Sequence, residues 1–281
     1  MFLLGAVAGL TIFLGLPIAI LRNTDQKTKG FLNAIAIGIL LFLIVDVFSH
    51  AWEIVEESAS EWFAGKISMG IAASNLTAML GGIAVGLLGL SYYESKFLLT
   101  NTDTNSKLRF RMEKVEKESN SYGLKVEELG AYKLATMIAI AIGAHNFSEG
   151  LAIGQSYAAG SISLAIMLVI GFGTHNATEG FGISSPLIRL ERRPSAKFIT
   201  GLGLVGGLPT FVGTVLGSLV GVSDFTYVLF LSVAGGALVY VSLLMYTTGR
   251  RYVQNHVIML GVFVGLLAGF ITDLLVTLGG V

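Results

Sequence analysis

Apolar residues occupy this chain in long runs, not at the two-residue alternation of a half-buried strand or the narrow stripe of a surface helix. Eight runs reach the roughly 20 residues needed to cross about 30 Å of hydrocarbon, where a helix can satisfy its own backbone. They predict spans near Phe2 to Leu21, Phe31 to Val55, Ile67 to Tyr92, Ala131 to Tyr157, Ser161 to Ile188, Ala196 to Val222, Phe225 to Gly249 and Val257 to Gly279. The connections are short except for Glu94 to Gly130. Its mixed charges (LRFRMEKVEKES) read as a solvated loop with a helical piece.

The basic residues orient these spans. All Lys and Arg but Lys66 fall in the connections 1-2, 3-4, 5-6 and 7-8 or at their edges, and cytoplasmic loops carry that excess. Both termini are therefore expected outside. The first run is followed, not preceded, by basic residues (Arg22, Lys27, Lys29), the reverse of a cleaved signal, so it reads as a retained helix. The expected fold class is an all-α polytopic membrane protein of eight transmembrane helices. Residues 1–281 form one transmembrane domain, with a cytoplasmic loop at about 94–130 between the third and fourth spans.

Composition sharpens what is excluded. At 53% hydrophobic, 13% charged and a mean hydropathy of +0.76, the 281 residues do not suit a soluble multidomain enzyme. Without cysteine there can be no disulfide, thiolate metal site or cysteine nucleophile. A formal net charge of zero argues against a nucleic-acid partner, which would call for a basic face. The 36 glycines lie mostly inside the spans, where small residues let helices approach closely.

The candidate chemistry lies in the fourth and fifth spans, where GAHNFSEG (Gly143 to Gly150) and GTHNATEG (Gly173 to Gly180) repeat G-x-H-N-x-x-E-G. Within each copy the His and Glu are four apart, which stacks them on one helix face. A very short outer turn joins the two spans, so they run antiparallel side by side. If that turn is centred on residue 162, His145 is level with Glu179 and Glu149 with His175, a four-donor rectangle. A centre at residue 160 instead levels the histidines and spreads the glutamates. A charged group at mid-membrane costs about 2.5 to 3.5 kcal/mol on insertion scales. A divalent cation among two carboxylates and two imidazoles offsets that cost, and the donors suit Zn, Fe(II), Mn or Co better than Cu(I) or Ca. Asn146 and Asn176, about 100 degrees further round each helix, either line a second position or make interhelical amide bonds.

With these residues the chain resembles the ZIP family of zinc and iron transporters, particularly its prokaryotic branch. The likeness in topology covers the whole chain, but its specific motifs span only Gly143 to Gly180. It implies a ZIP-like bundle in which His145, Glu149, His175 and Glu179 are first-site ligands and Asn146 and Asn176 belong to a neighbouring site. It also implies inward flow, a homodimer in a prokaryotic plasma membrane, and movement of spans 1, 4, 5 and 6 against 2, 3, 7 and 8. Zinc stands first as substrate, with Fe, Mn, Co, Ni and Cd within the donors' range, and no organic cofactor. Some features depart from the family pattern. Ser148 and Thr178 stand where a proline often precedes the Glu, so less kinking is expected. The sixth span has Leu208 before Pro209 where a carboxylate is common, and Asn176 replaces a carboxylate found in some relatives. The expectation is one tightly held ion.

On the second span, Asp46, His50 and Glu53 share one helical face below Glu56, Glu57 and Glu61 in the outer loop, an acidic funnel for arriving cations. No G-x-x-x-x-G-K-[ST] motif is present, so gradients would drive flux. The rival class is an intramembrane metal-dependent hydrolase, which needs an open coordination position and a spare acid or base.

Overall fold

The first apolar run forms two helices, not one. α1 (Phe2–Leu10) stops and α2 (Ile12–Gly15) starts at Thr11, whose hydroxyl donates to Ala8 O at 2.6 Å and competes with the helical ladder. The computed structural model describes residues 1–17, 25–97, 126–190, 193–250 and 253–278, so the expected helical piece of the long loop lies outside the described residues. The other seven runs each produce one main helix: α3 (Gln26–Phe63), α4 (Met69–Phe97), α5 (Val126–Ala158), α6 (Ile162–Ser184), α7 (Ala196–Leu219), α8 (Asp224–Gly249) and α9 (Asn255–Leu278). A short 3-10 helix, Ser185–Arg189, follows α6. No strand occurs among the described residues.

Five of these helices, α3, α4, α7, α8 and α9, are long and apolar enough to cross a membrane. At 33 and 23 residues α5 and α6 also have the length, but their His, Asn and Glu residues dilute the apolar run. α3 continues eight residues past the expected Val55, so Glu56, Glu57 and Glu61 sit on its last turns and not in a loop. Nothing before Gly65 stops it. With φ at +73°, Gly65 takes the left-handed position that L side chains resist. Its N–H donates to Trp62 O at 2.9 Å, and that of Lys66 to Glu61 O at 2.9 Å, a complete Schellman closure. Gly160 (φ +76°) closes α5 in the same way, with Gly160 N to Tyr157 O and Ser161 N to Ser156 O, both at 3.0 Å. This closure folds α6 back along α5.

Glycine divides the bundle into two blocks. In the first, Gly150, Gly154, Gly213 and Gly217 press α5 and α7 together until a Cβ would strike a backbone carbonyl of the facing helix. Gly9 with Gly207 and Gly15 with Ala177 join α1 to α7 and α2 to α6 likewise. In the second, Gly38 and Gly265 lock α3 to α9, and Gly86 and Gly236 lock α4 to α8. Among the described residues, every such backbone-tight glycine contact lies within a block. Between blocks the approach is made by side chains, as where Phe147 of α5 meets Phe230 of α8 edge-on at 5.0 Å, or the Leu40 side chain of α3 approaches the Gly182 backbone of α6. The main core runs along this boundary, through Leu40, Leu43, Ile138, Ile142, Ile183 and Leu238. Outer faces of α4 and α9 expose Leu80, Leu88, Phe263 and Ile271, as a lipid-facing surface requires.

Candidate metal centre

α5 and α6 run unbroken through Ser148 and Thr178, since neither position carries the proline that would free a carbonyl and bend the helix. The i, i+4 spacing therefore holds. His145 Nε2 lies 3.2 Å from Glu149 Oε1 on its own helix and 3.8 Å from Glu179 Oε1 across the hairpin. His145 thus stands level with Glu179, the pairing of a turn centred on residue 162. The His175 side chain lies outside the described residues, although its backbone belongs to α6.

Burial makes this cluster costly unless something binds it. His145, Glu149 and Glu179 are 2%, 4% and 0% exposed. Among the described residues, neither ring nitrogen of His145 and none of the four carboxylate oxygens makes a hydrogen bond. Two carboxylates facing one imidazole, buried and short of hydrogen bonds, are expensive for a fold to carry. Among the described residues, no group of three or more His, Asp and Glu side chains converges as a ready-made cage. The two His145 pairs are nonetheless suited to sharing an ion: bonds of about 2.0 to 2.2 Å at a tetrahedral centre separate two donors by roughly 3.4 Å.

The other expected residues are placed less uniformly. Asn146 and Asn176 are fully buried, and each sends its amide away from its own helix: Nδ2 of Asn146 donates to Gly206 O at 3.0 Å and Nδ2 of Asn176 to Ala8 O at 2.8 Å. Asp46 is half-buried on α3, within electrostatic reach of His145 and Glu179. His50 and Glu53 are exposed, and His50 Nδ1 sits 2.9 Å from Asp46 O and 3.6 Å from its carboxylate. A polar group not anticipated from sequence is Tyr227 of α8, within electrostatic reach of Glu149 and Asp46. A tyrosine near the end of an apolar run reads as an interfacial anchor, so no signal separated it from an ordinary one.

A helical membrane protein that buries one imidazole against two carboxylates, with their hydrogen bonds unmet among the described residues, has the features of a class that handles cations inside the bilayer. The family model for the ZIP zinc transporters matches residues 94–277, well over half the chain, and the protein belongs to that family. It is accordingly an integral membrane metal transporter. No curated protein matches the chain.

Proposed function

We propose that the protein carries a divalent transition metal, zinc foremost, inward across a prokaryotic plasma membrane, through a site of His145, Glu149, His175 and Glu179 between α5 and α6. The observation that carries this reading is the set of six buried nitrogen and oxygen atoms on His145, Glu149 and Glu179 that make no hydrogen bond among the described residues. One divalent ion neutralises both carboxylates and satisfies the imidazole at once. Eight spans with both termini outside accommodate the basic residues, with α1 and α2 together forming the first and the 94–130 connection in the cytoplasm.

The glycine seams support alternating access by movement of α1, α2, α5, α6 and α7 as one body against α3, α4, α8 and α9. Backbone-tight contacts resist sliding, whereas the boundary between blocks has none among the described residues. Asp46, His50 and Glu53 on α3 would gather cations at the outer mouth, and a homodimer is the expected assembly. A hydrolase would need a free acid or base at the cluster, and Asp46 and His50 are instead at pairing distance from each other on α3.

The test is metal flux into proteoliposomes for wild type and Glu149→Ala/Glu179→Ala, with Zn, Fe(II), Mn and Ca in parallel. Transition-metal flux that disappears in the double variant, with Ca excluded throughout, is expected. Tight binding at these residues without flux under any gradient overturns transport through this site.

A further inference from the structure

Asn146 and Asn176 each follow a motif histidine, and each donates to a backbone carbonyl on a different helix. Neither acceptor lies in undisturbed helix. Ala8 O, which receives Asn176, sits three residues before the break at Thr11 and also accepts the Thr11 hydroxyl at 2.6 Å. Gly206 O, which receives Asn146, sits three residues before Pro209, whose missing N–H leaves the neighbouring Val205 carbonyl without its helical donor. Inside a bilayer such irregularities persist only where nearby groups meet the exposed carbonyls. The two acceptors are also neighbours in space, because Gly9 and Gly207, one residue beyond each, pack backbone on backbone. Two amides thus tie α5 and α6 to one crossing of α1 and α7, from positions adjacent to the two motif histidines.

We infer that Asn146 and Asn176 are positioning residues that clamp the motif hairpin onto the α1–α7 crossing, and that the centre takes one divalent ion, not two. This rests on the metal reading proposed above. Charge supports the stoichiometry. Glu149 and Glu179 neutralise one divalent cation, and a second would remain unbalanced in a medium that penalises net charge heavily. α7 offers no Asp, Glu or His from Ala196 to Leu219, and its buried Thr210 and Thr214 carry no charge. Asp46 belongs to the other block and pairs with His50. The Asn146 and Asn176 Oδ1 atoms are buried without a hydrogen-bond partner among the described residues, but as amide oxygens they add no negative charge.

Asn→Asp substitution separates the two roles because it acts oppositely on each. A carboxylate is a better metal donor than an amide oxygen, yet it cannot donate to a carbonyl. Zinc titration of the purified chain, with bound metal counted by elemental analysis, is performed on wild type, Asn146→Asp, Asn176→Asp and the matching Asn→Ala variants. One ion per wild-type chain is expected, with affinity falling roughly tenfold or more in the Asp and Ala variants alike, as the hairpin loses one of its two charge-free ties. Asp variants that bind as tightly as wild type, or more tightly, overturn the clamp. Two ions in wild type overturn the stoichiometry, and that measurement stands even where a variant fails to fold. Zero ions in wild type, or one ion retained in Glu149→Ala/Glu179→Ala, overturn this inference together with the metal reading beneath it, whereas Asp variants at wild-type affinity overturn the clamp and leave that reading standing.

Discussion

Gly9 of α1 and Gly207 of α7 lie backbone against backbone, so that a methyl added to either would fall on the carbonyl oxygen of the other. Neither carbonyl can move without its helix. Gly207→Ala is therefore expected to destabilise the protein by about 1 to 3 kcal/mol through overpacking. Gly81→Ala on α4, with nothing within 4 Å of the new methyl, is expected to be neutral or stabilising by up to about 1 kcal/mol. Thermal melts followed by far-ultraviolet circular dichroism compare the two. Equal losses at both positions would contradict the seam.

Metal should stabilise the folded chain. Zinc at 100 times its dissociation constant adds about 2.7 kcal/mol by mass action, and chelator should remove the gain. The Glu149→Ala/Glu179→Ala chain is expected to melt at one temperature with or without zinc. A zinc-dependent rise persisting in that variant would place the ion elsewhere.

The block boundary can be probed because the chain has no cysteine of its own. Phe147 and Phe230 face each other across it, while Tyr132 and Phe198, with ring centroids 4.8 Å apart, join α5 to α7 inside one block. Cysteine pairs at these sites, bridged by a short bifunctional maleimide, should respond differently: flux stops with 147–230 bridged and continues with 132–198 bridged. Undiminished flux across the 147–230 bridge excludes relative movement there.

The proposed gathering of cations by Asp46 and His50 on α3 can be tested by substitution. Asp46→Ala is expected to raise the zinc concentration for half-maximal uptake more than His50→Ala does, since Asp46 also reaches the central cluster electrostatically while His50 is exposed. Uptake unchanged in both affinity and rate for both variants would remove them from the pathway.

Outside the membrane, the Thr28 hydroxyl and amide hold the Asp25 carboxyl at the start of α3 below its ordinary pKa. A depressed folded-state pKa contributes stability above the unfolded value, about 3.9, that is lost as pH falls through the lower folded value. Amide exchange at Thr28 should therefore quicken in acid relative to Asp25→Asn, which keeps a neutral cap. Identical ratios at every pH would show that the carboxylate does not hold the cap.

Much of this was legible from letters alone. Charge-free runs marked helices because lipid forbids other elements, and the i, i+4 spacing of His145 and Glu149 fixed a shared face. The turn's centre was not legible, because it depends on how Gly160 closes α5, and two readings fitted equally well. The α1–α2 break escaped notice, as Thr11 is unremarkable until its hydroxyl is seen on Ala8 O. The asparagine partners were hidden for a deeper reason. Their acceptors are backbone carbonyls, which every residue possesses and no letter distinguishes. The extension of α3 through Glu61 was misread because its acidic residues suggested a loop, although only Gly65 ends the helix.

The Gly160 closure has a thermodynamic corollary. His145, Glu149 and Glu179 lie on one hairpin strapped at its turn, so if the proposed site moves with that hairpin it carries its donor geometry along unchanged. The intrinsic dissociation constant would then be similar at the two membrane faces. A carrier of that kind is reversible, and free-metal activity on either side, with whatever it is coupled to, sets the sign of net flux.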